Sequence, residues 1–474
     1  MSPAIGQPAC SVAPPATRVL FLNHSSLLIS HGEEFIYTDP FYAQPAFETW
    51  LPAPPMYLNP AYLLAISRSA RRFSILLSHG HDDHCDDRLL RLFNHCPAIT
   101  TRFDSPGVHN RLVRNGFLDI TELTETPVQI GTFELSALIN RGFSLDDSIQ
   151  LINAPDLSVV HANDCWWPLL ENHSRILKNR LRPKALYASQ VAIADGYPLA
   201  YSCFSDEEKR ELSERRVLQQ INATLTNAAK VGANSFLHYA GHVKIFSGSP
   251  PVNEGSGFIP NAFIRDNAPA PVAGALVDVL DMMPGDTFEN DAVTYGLGRK
   301  IYSDDALKRA SVDFWNEYGQ FRYQRPTPDL GDAWRREQLA KFAREFQFYV
   351  EKAAPGKNFR KDILQSRVVF HIAGVSSEEV VFPQCSDHGR IDLEITWSPN
   401  IADLILTGEL NFEASYIGCL GSFSVSPKTH YNGHAVRWLN MFGYVWINRI
   451  VAARDADREQ TPILSTDVSG EQNL

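Results

Sequence analysis

Ten residues, Ser78 to Asp87 (SHGHDDHCDD), combine metal-binding residue types at the spacing His-x-His-x-Asp-His. The motif supplies the imidazoles of His79, His81 and His84 and the carboxylate of Asp83. Zinc and ferrous iron both accept ligands of these kinds. Residues two apart in an extended segment point to the same side, so His79 and His81 could bind one ion while Asp83 and His84 turn towards a second. The motif therefore predicts a two-metal site rather than a solvated polar loop.

The elements that must position these ligands are buried strands. The motif directly follows the apolar run at residues 74–77, and a second apolar run at 157–160 leads into the segment HANDC at 161–165. Asp164 therefore also lies where a strand ends, and one carboxylate can give an oxygen to each of two metals. We predict that Asp164 bridges the two ions and that it and Asp83 are the catalytic carboxylates. Capping of the following helix is the alternative role for Asp164.

Other polar residues near predicted strand ends extend the candidate site. The further candidate metal ligands are Asp147, His161 and His238, and the candidate substrate-binding residues are His24, Trp166, Tyr197 and His242. A histidine on an apolar strand can equally be a core residue, and this alternative stays open for His24 and His238. His24 could equally point at the metal site and donate a hydrogen bond to a ligand. Asp39 precedes Pro40 and is predicted to be a turn carboxylate rather than a ligand.

Two stretches carry secondary predictions about the site. Residues 41–73 are rich in aromatic residues and proline and are predicted to be an irregular segment that covers the substrate. Cys85 and Cys165 each follow a predicted ligand. Small buried fillers and thiolate ligands are the two alternatives for these cysteines, and we favour the first.

Composition restricts the class of protein. The net charge of −11, without a cluster of Lys and Arg, argues against a nucleic-acid partner. Seven scattered cysteines, an odd number, are typical of reduced thiols in a cytoplasmic protein. No apolar run approaches the roughly 20 residues that span a bilayer. We therefore expect a cytoplasmic enzyme with a small-molecule substrate.

The length of 474 residues predicts more than one domain. We expect a disordered leader at 1–17, a catalytic domain at 18–290 and a C-terminal α+β domain at 291–474. Helices are predicted at 86–93, at 205–230 after a capping box, within 303–354, at 400–407 and at 431–450.

Several segments together resemble the metallo-β-lactamase superfamily. SHGHDDH and HANDC are the most specific of them, and the others are NHSSLLI at 23–29, YTDP at 37–40, QVAIADGYP at 190–198, VGANSFLHYAG at 231–241 and MPGD at 283–286. The branch that they resemble contains CMP-N-acetylneuraminate hydroxylase and related lactonases and phospholipases D. The resemblance implies an α/β fold, the αββα sandwich, with two metals at one edge. The last hundred residues resemble a sterol-carrier-like fold.

In the resembled family the motif histidines and Asp83 are metal ligands and Asp164 bridges the metals. The hydrolases of that family place a further histidine between the two motifs. Here Asn140, Asp146 and Asp147 are the nearest candidates in that region, unless His161 substitutes. The ligand set therefore departs from that of the hydrolases.

Two reaction types follow from this reading. A mixed set of histidines and carboxylates suits iron, which favours a diiron oxygenase acting on a small biosynthetic intermediate. The Rieske ligands of the sialic-acid hydroxylase are absent, so an oxygenase would need dioxygen and an external reductant or electron donor. The alternative is a dizinc hydrolase of an ester, lactone or phosphodiester. Iron is the preferred metal, with zinc or manganese as alternatives.

Overall fold

The computed structural model describes residues 15–42, 44–53, 59–139, 147–192, 196–247, 252, 259–269, 277–296, 322–324, 329–352, 363–385, 392–428 and 433–460. The chain divides into two compact units. The first comprises Met1–Asp195 and Asp206–Phe321, and the second comprises Gly196–Ser205 and Arg322–Leu474. Most of the predicted leader lies outside the described residues, and Thr17 already begins the first strand.

The first unit contains seventeen of the described strands and six of the described helices. Its strands are β1 Thr17–Asn23, β2 Ser26–His31, β3 Glu34–Thr38, β4 Trp50–Pro52, β5 Arg72–Leu77, β6 Ala98–Thr101, β7 Ile120–Leu123, β8 Val128–Ile130, β9 Phe133–Leu138, β10 Ile149–Asn153, β11 Ser158–Asn163, β12 Ala185–Gln190, β13 Ser235–Tyr239, β14 Val243–Ile245, β15 Asp278–Val279, β16 Thr287–Glu289 and β17 Ala292–Thr294. Its helices are α1 Pro60–Ser69, α2 Asp87–Leu92, α3 Gly107–Arg114, α4 Glu171–Arg180, α5 Asp206–Val231 and α6 Asn261–Asp266.

Two mixed sheets form the centre of the first unit. One has the strand order β17-β16-β1-β2-β3-β5-β6-β7, and the other has the order β15-β13-β12-β11-β10-β9-β8. Strands β3, β5, β6 and β7 are mutually parallel, as are β11, β12, β13 and β15. Because parallel strands end at the same edge of a sheet, residues that follow β3 and β5 lie side by side.

One hydrophobic core lies between the sheets. Ile29 and Leu76 of the first sheet pack in the same cluster as Val159 and Leu186 of the second. Side chains alternate across a strand, so the neighbours of these residues face outwards.

Helices cover both outer faces. Ile75 of β5 belongs to a cluster with Leu112 of α3, and Tyr187 of β12 belongs to a third cluster with Ile221 of α5. The layers therefore run helix, sheet, sheet, helix, which confirms the predicted α/β class and αββα sandwich.

The helix predictions in this unit agree with the structure. Asp86 caps α2, because its carboxylate accepts hydrogen bonds from the backbone amides of Arg88 and Leu89. The predicted helix at 205–230 is α5, and it ends before Gly232, whose φ of 83° is a left-handed helix stop.

The prediction of an irregular segment at 41–73 is wrong for its second half. Residues Pro60–Ser69 form α1, which Asn59 caps by accepting a hydrogen bond from the backbone amide of Ala61. Trp50–Pro52 is a short strand paired with β14. Proline at the first helical position favours the start of a helix, a signal that the proline-rich composition concealed.

The second unit is a four-stranded sheet with helices. Its strands are β18 Arg367–Ile372, β19 Ser376–Val381, β20 Leu393–Trp397 and β21 Ser422–Ser424, in the order β19-β18-β20-β21. Its helices are α7 Asp332–Lys352, α8 Pro399–Leu406, α9 Phe412–Tyr416 and α10 Gly433–Gln460, with a 3-10 turn at Arg322–Gln324.

The apolar stripe predicted within 303–354 forms the buried face of α7. Leu339, Phe342, Phe346 and Val350 are all buried, and Phe342 contacts the ring of Trp397. Residues 303–321 lie outside the described residues. None of the helices in the described part of the chain combines the length and apolar character that crossing a bilayer requires.

Candidate metal centre

The His motif forms a turn at the end of β5. The backbone amide of His84 donates to the carbonyl of His81 at 3.1 Å, which closes this turn. Asp83 and His84 therefore lie in this turn. His79 Nε2 lies 2.8 Å from His81 Nδ1, so these two imidazoles converge as predicted.

The second sheet brings two carboxylates to the same edge. Asp147 precedes β10, and Asp164 follows β11. Hydrogen bonds between the sheets fix this juxtaposition: Gln150 Nε2 donates to the carbonyl of Leu77 at 2.8 Å, and Ser148 Oγ donates to the carbonyl of Ser78 at 2.9 Å. The two sheet edges are thus locked at the point where the candidate ligands meet.

Among the described residues, three groups of side chains could each hold an ion. Within each group, the ligand atoms all lie within 4.8 Å of one another. These groups are His79, His81 and Asp147; His79, His84 and Asp164; and His24, Asp83 and His84. We call the first group the open position and the third group the buried position. Asp164 lies between them, with Oδ2 at 3.7 Å from His79 Nε2 and Oδ1 at 3.3 Å from His84 Nε2.

Asp39 and Ser78 orient two of the imidazoles. Asp39 Oδ2 lies 2.8 Å from His84 Nδ1, and because a carboxylate only accepts, His84 carries its proton on Nδ1. Ser78 Oγ donates to Asp39 at 2.7 Å, so it accepts from His79 Nδ1 at 2.9 Å. Both Nε2 atoms are therefore turned towards Asp164, in the position from which they could bind an ion. Such outer hydrogen bonds fix the tautomer of metal-binding histidines.

Buried polar atoms at the centre of the site lack hydrogen-bond partners among the described residues. They are Asp83 Oδ1, His84 Nε2 and Asp164 Oδ1. His84 Nε2 is 3.4 Å from Asp83 Oδ2, without the geometry of a hydrogen bond. Leaving a buried donor or acceptor unsatisfied costs about 1–3 kcal/mol, more for charged groups. A cation bound among these atoms would satisfy them, so the residues fit metal ions.

The charges at the site lead to the same conclusion. Burial alone would raise the pKa of Asp83, but His84 and His24 lower it well below its usual range. Burial would lower the pKa of His84, but Asp83, Asp164 and Asp39 raise it well above its usual value. Burial and the neighbouring His84 and His81 lower the pKa of His79 to about 3. The carboxylates thus stabilise positive charge at His84, where a metal ion would lie.

His24 lies in the buried position. Its Nε2 is 2.9 Å from Asp83 Oδ2, and its side chain is fully buried. Of the roles considered for His24, substrate binding, a core position and a hydrogen bond at the metal site, the contact with the predicted ligand Asp83 corresponds to the third. The reason is the tight turn between β1 and β2, which holds His24 at a φ of 34°.

Left-handed backbone conformations occur at three non-glycine residues around the site. The φ angles are 34° at His24, 40° at Asp39 and 39° at Asn163, which precedes Asp164. Each of the three residues either ends a strand or immediately follows one. Strained residues of this kind concentrate at functional sites, because surrounding packing must maintain them.

The remaining predicted histidines are not members of the three ligand groups. His161 Nε2 is 3.5 Å from Asp39 Oδ2, and the carboxylate of Asp39 is the one that orients His84. The rings of His238 and His242 pack against each other at 4.8 Å, and His242 also contacts Phe21. Burial lowers the pKa of His238 to about 3, so its ring is neutral. Among the described residues, His161, His238 and His242 join none of the ligand groups, and the core alternative describes His238 and His242 better.

The two predicted aromatic residues have different positions. Trp166 is half-buried, and its backbone amide donates to the carbonyl of Asp164 at 2.8 Å, within the turn that carries this carboxylate. Tyr197 belongs to the second unit, where its ring contacts Tyr201 and Phe204.

Cys85 and Cys165 are both buried and lie in hydrophobic clusters. Burial raises the pKa of Cys85 to about 12, so its thiol is neutral. Among the described residues, neither cysteine is part of a ligand group. The filler interpretation therefore agrees with the structure.

Asp39 has a larger role at the site than the sequence predicted. It was predicted as a turn residue, yet its carboxylate accepts hydrogen bonds from the backbone amide and hydroxyl of Ser78. The position of Asp39 at the end of an apolar strand was an indication of this role. Asp39 directly follows β3, which pairs in parallel with β5, the strand before the His motif. Asp146 and Asn140, the other candidates for the missing histidine, lie outside the described residues.

None of the family models matches the chain, and none of the curated protein sequences does. Solved structures are similar over part of the chain. They include Igni18, a metallo hydrolase from Ignicoccus hospitalis, with 15% identity over 58% of this chain and 98% of that one, at a TM-score of 0.38.

A second similar structure is CmlA, a diiron β-hydroxylase from Streptomyces venezuelae, with 16% identity and a TM-score of 0.38. The match covers 58% of this chain and 54% of CmlA, so about half of that protein is spanned. A third is the metallo-β-lactamase-fold protein YhfI from Bacillus subtilis, with 14% identity over 58% of this chain and all of that one, at a TM-score of 0.37. The metal chemistry of this chain is therefore inferred from its own side chains.

Proposed function

We propose that the first unit is a dinuclear metal enzyme, and that it is a diiron oxygenase that hydroxylates a small molecule. The observation that carries the proposal is the ligand set of the open position. There Asp147 Oδ1 lies 3.7 Å from His79 Nε2, where the resembled hydrolases use a histidine. Two histidines with carboxylates form a mixed nitrogen and oxygen set that suits ferrous iron and leaves positions for dioxygen.

The residues divide into two metal positions with a shared carboxylate. His79, His81 and Asp147 would hold one ion, His24, Asp83 and His84 would hold the other, and Asp164 would contribute an oxygen to each. Each ion would thus have two imidazoles and two carboxylates. Bound iron would supply the reduction of dioxygen, whereas bound zinc would supply an activated water for hydrolysis.

The overall reaction requires an external electron donor. One C–H bond of the substrate breaks and one C–O bond forms, one oxygen atom of dioxygen enters the product, and the other leaves as water. The balance needs two electrons and two protons, which the donor and solvent provide. Our assignment of a small-molecule substrate remains part of this proposal.

The protein's own groups define where the substrate could approach. The side chain of Asp164 is 21% exposed and that of Asp147 is 12% exposed, whereas His24 and His84 are fully buried. Trp166 is half-buried, two residues after Asp164, and could pack against a substrate. The buried position excludes water, while Asp39 and Ser78 hold the imidazoles of His79 and His84 in the orientation that binding requires.

The test is metal analysis of protein purified without added metal, combined with optical spectroscopy. We expect about two irons per chain and an absorption band that changes on exposure to dioxygen. Two zincs per chain together with hydrolysis of an ester, lactone or phosphodiester would contradict the oxygenase and support the alternative.

A variant tests the shared carboxylate. Asp164→Ala should abolish occupancy of at least one metal position, because both positions use this side chain. Trp166→Phe serves as the control and should keep the wild-type metal content. Unchanged metal stoichiometry in Asp164→Ala would contradict the bridging role.

A further inference from the structure

Helix α3 packs against the His motif through one arginine. Arg111 Nη1 donates to the carbonyl of Gly80 at 2.7 Å, Nη2 donates to Asp82 Oδ1 at 2.9 Å, and Nε donates to Asp87 Oδ1 at 2.8 Å. Its side chain is only 13% exposed. One guanidinium thus contacts three residues of the motif.

The contacts of Arg111 alternate with the candidate ligands. Gly80 lies between His79 and His81, and Asp82 lies between His81 and Asp83. Holding the two intervening residues restricts the direction in which His81 can point. An arginine suits this task, because its planar fork donates in several fixed directions at once.

Helix α3 also approaches the turn closely at a second point. A Cβ atom added to Gly80 would lie 3.3 Å from Val108 Cγ2, which is tighter than an ordinary contact. The side-chain amide of Asn115 donates to Asp87 Oδ1 at 2.8 Å, the same oxygen that Arg111 Nε contacts. The helix therefore fixes both ends of the motif.

The motif contains more carboxylates than the site uses. Asp86 caps α2 and also accepts hydrogen bonds from the backbone amides of Tyr42 and Gln44. Asp82 and Asp87 are paired with Arg111. Of the four aspartates in the motif, only Asp83 faces the ligand groups among the described residues.

We propose that Arg111 is a positioning residue that selects Asp83 over Asp82 as the ligand and holds His81 in the open position. This inference rests on the proposed dinuclear site. Arg111 contacts no candidate ligand side chain; it acts through the carbonyl of Gly80 and the carboxylate of Asp82. Without it, Asp82 would become a charged competitor one residue away from Asp83.

The test is titration of the metal-free full chain with cobalt(II), followed by its visible absorption. Wild-type protein should bind two cobalt ions. Arg111→Lys should bind one ion with wild-type affinity and the other about 10–100-fold more weakly, with an altered spectrum, because lysine cannot maintain three directed contacts. Two cobalt ions bound with wild-type affinities and spectrum would overturn the proposal.

Two further variants separate positioning from folding. Arg102→Lys is the matched control, because Arg102 is an exposed arginine that pairs with Glu122, and it should match the wild type. Adding Asp82→Asn to Arg111→Lys should return the spectrum towards that of the wild type, since the competing charge is removed. If the double variant keeps the spectrum of Arg111→Lys, the selection role is refuted.

If Arg111→Lys does not fold, Asp82→Asn alone still tests the role of Arg111. It should weaken one cobalt ion several-fold, because the guanidinium loses a charged partner on the turn, and an unchanged affinity would contradict the proposal. Wild-type protein that binds fewer than two cobalt ions would instead refute the dinuclear site, and with it the role of Arg111.

Discussion

The two sides of Asp164 differ in exposure and in how they are supported. In the buried position the side chains of His24 and His84 are fully buried and that of Asp83 is 4% exposed. In the open position Asp147 is 12% exposed and His81 is half-buried. The same kinds of candidate ligand therefore occur in a position that is closed to solvent and in a position that is partly exposed.

Because of this difference, we expect the two positions to differ in their contribution to stability and in their access to substrate. A buried carboxylate or imidazolium is costly without compensating charge, so the buried position depends on mutual neutralisation of its members. The open position contains the partly exposed side chains of Asp147 and His81, so we expect it to lose less stability when one member is removed. We infer that the buried position contributes more to stability and that the open position is where substrate binds.

The largest expected effect is that of Asp83→Ala. It removes a carboxylate that contacts both His24 and His84, so we expect loss of the metal in the buried position. We also expect the first unit to lose about 3–5 kcal/mol of stability, because breaking a buried charge pair leaves its partner uncompensated. Metal analysis and thermal unfolding monitored by circular dichroism measure the two effects. A normal melting temperature would contradict the structural role of this position.

His81→Ala should have a smaller effect that is confined to metal binding. The ring is half-buried and lies in the open position, so one metal per chain should be lost while the melting temperature of metal-free protein stays near that of the wild type. Comparison with Asp83→Ala under identical conditions tests the asymmetry. Equal destabilisation by the two variants would mean that the positions are equivalent.

The smallest of these effects should come from Asp39→Asn. An amide in place of the carboxylate can donate to His84 Nδ1, which favours the tautomer with its proton on Nε2, the atom required for metal binding. Outer hydrogen bonds of this kind are worth about 10–100-fold in metal affinity. Isothermal titration of metal-free protein measures the change, and Asp119→Asn on the surface provides the control. An affinity equal to that of the wild type would show that the contact does not set the tautomer.

The sequence was sufficient for the residues that lie close together in the motif. His79, His81, Asp83 and His84 need only one strand and one turn to converge, and the apolar run at residues 74–77 located that strand. The αββα layers were expected from the resemblance to the metallo-β-lactamase superfamily. Asp164 was identified because it ends a second apolar strand.

The contacts that the sequence could not locate join residues that are distant along the chain. His24 reaches Asp83 across 59 positions, and Asp39 reaches His84 across 45. These contacts depend on the register of parallel strands and on left-handed turns, which a single sequence does not specify. His238 and His242 have the residue type of ligands, but packing of one ring against the other places them in the core. Residue type alone did not separate these cases.

The central claim is that two unequal metal positions share Asp164. A crystal structure of protein loaded with iron, with anomalous diffraction measured at the iron absorption edge, tests it most directly. We predict two anomalous peaks on either side of Asp164, one beside His79, His81 and Asp147 and the other beside His24, Asp83 and His84. A single peak, or a peak beside His238 and His242, would contradict this assignment.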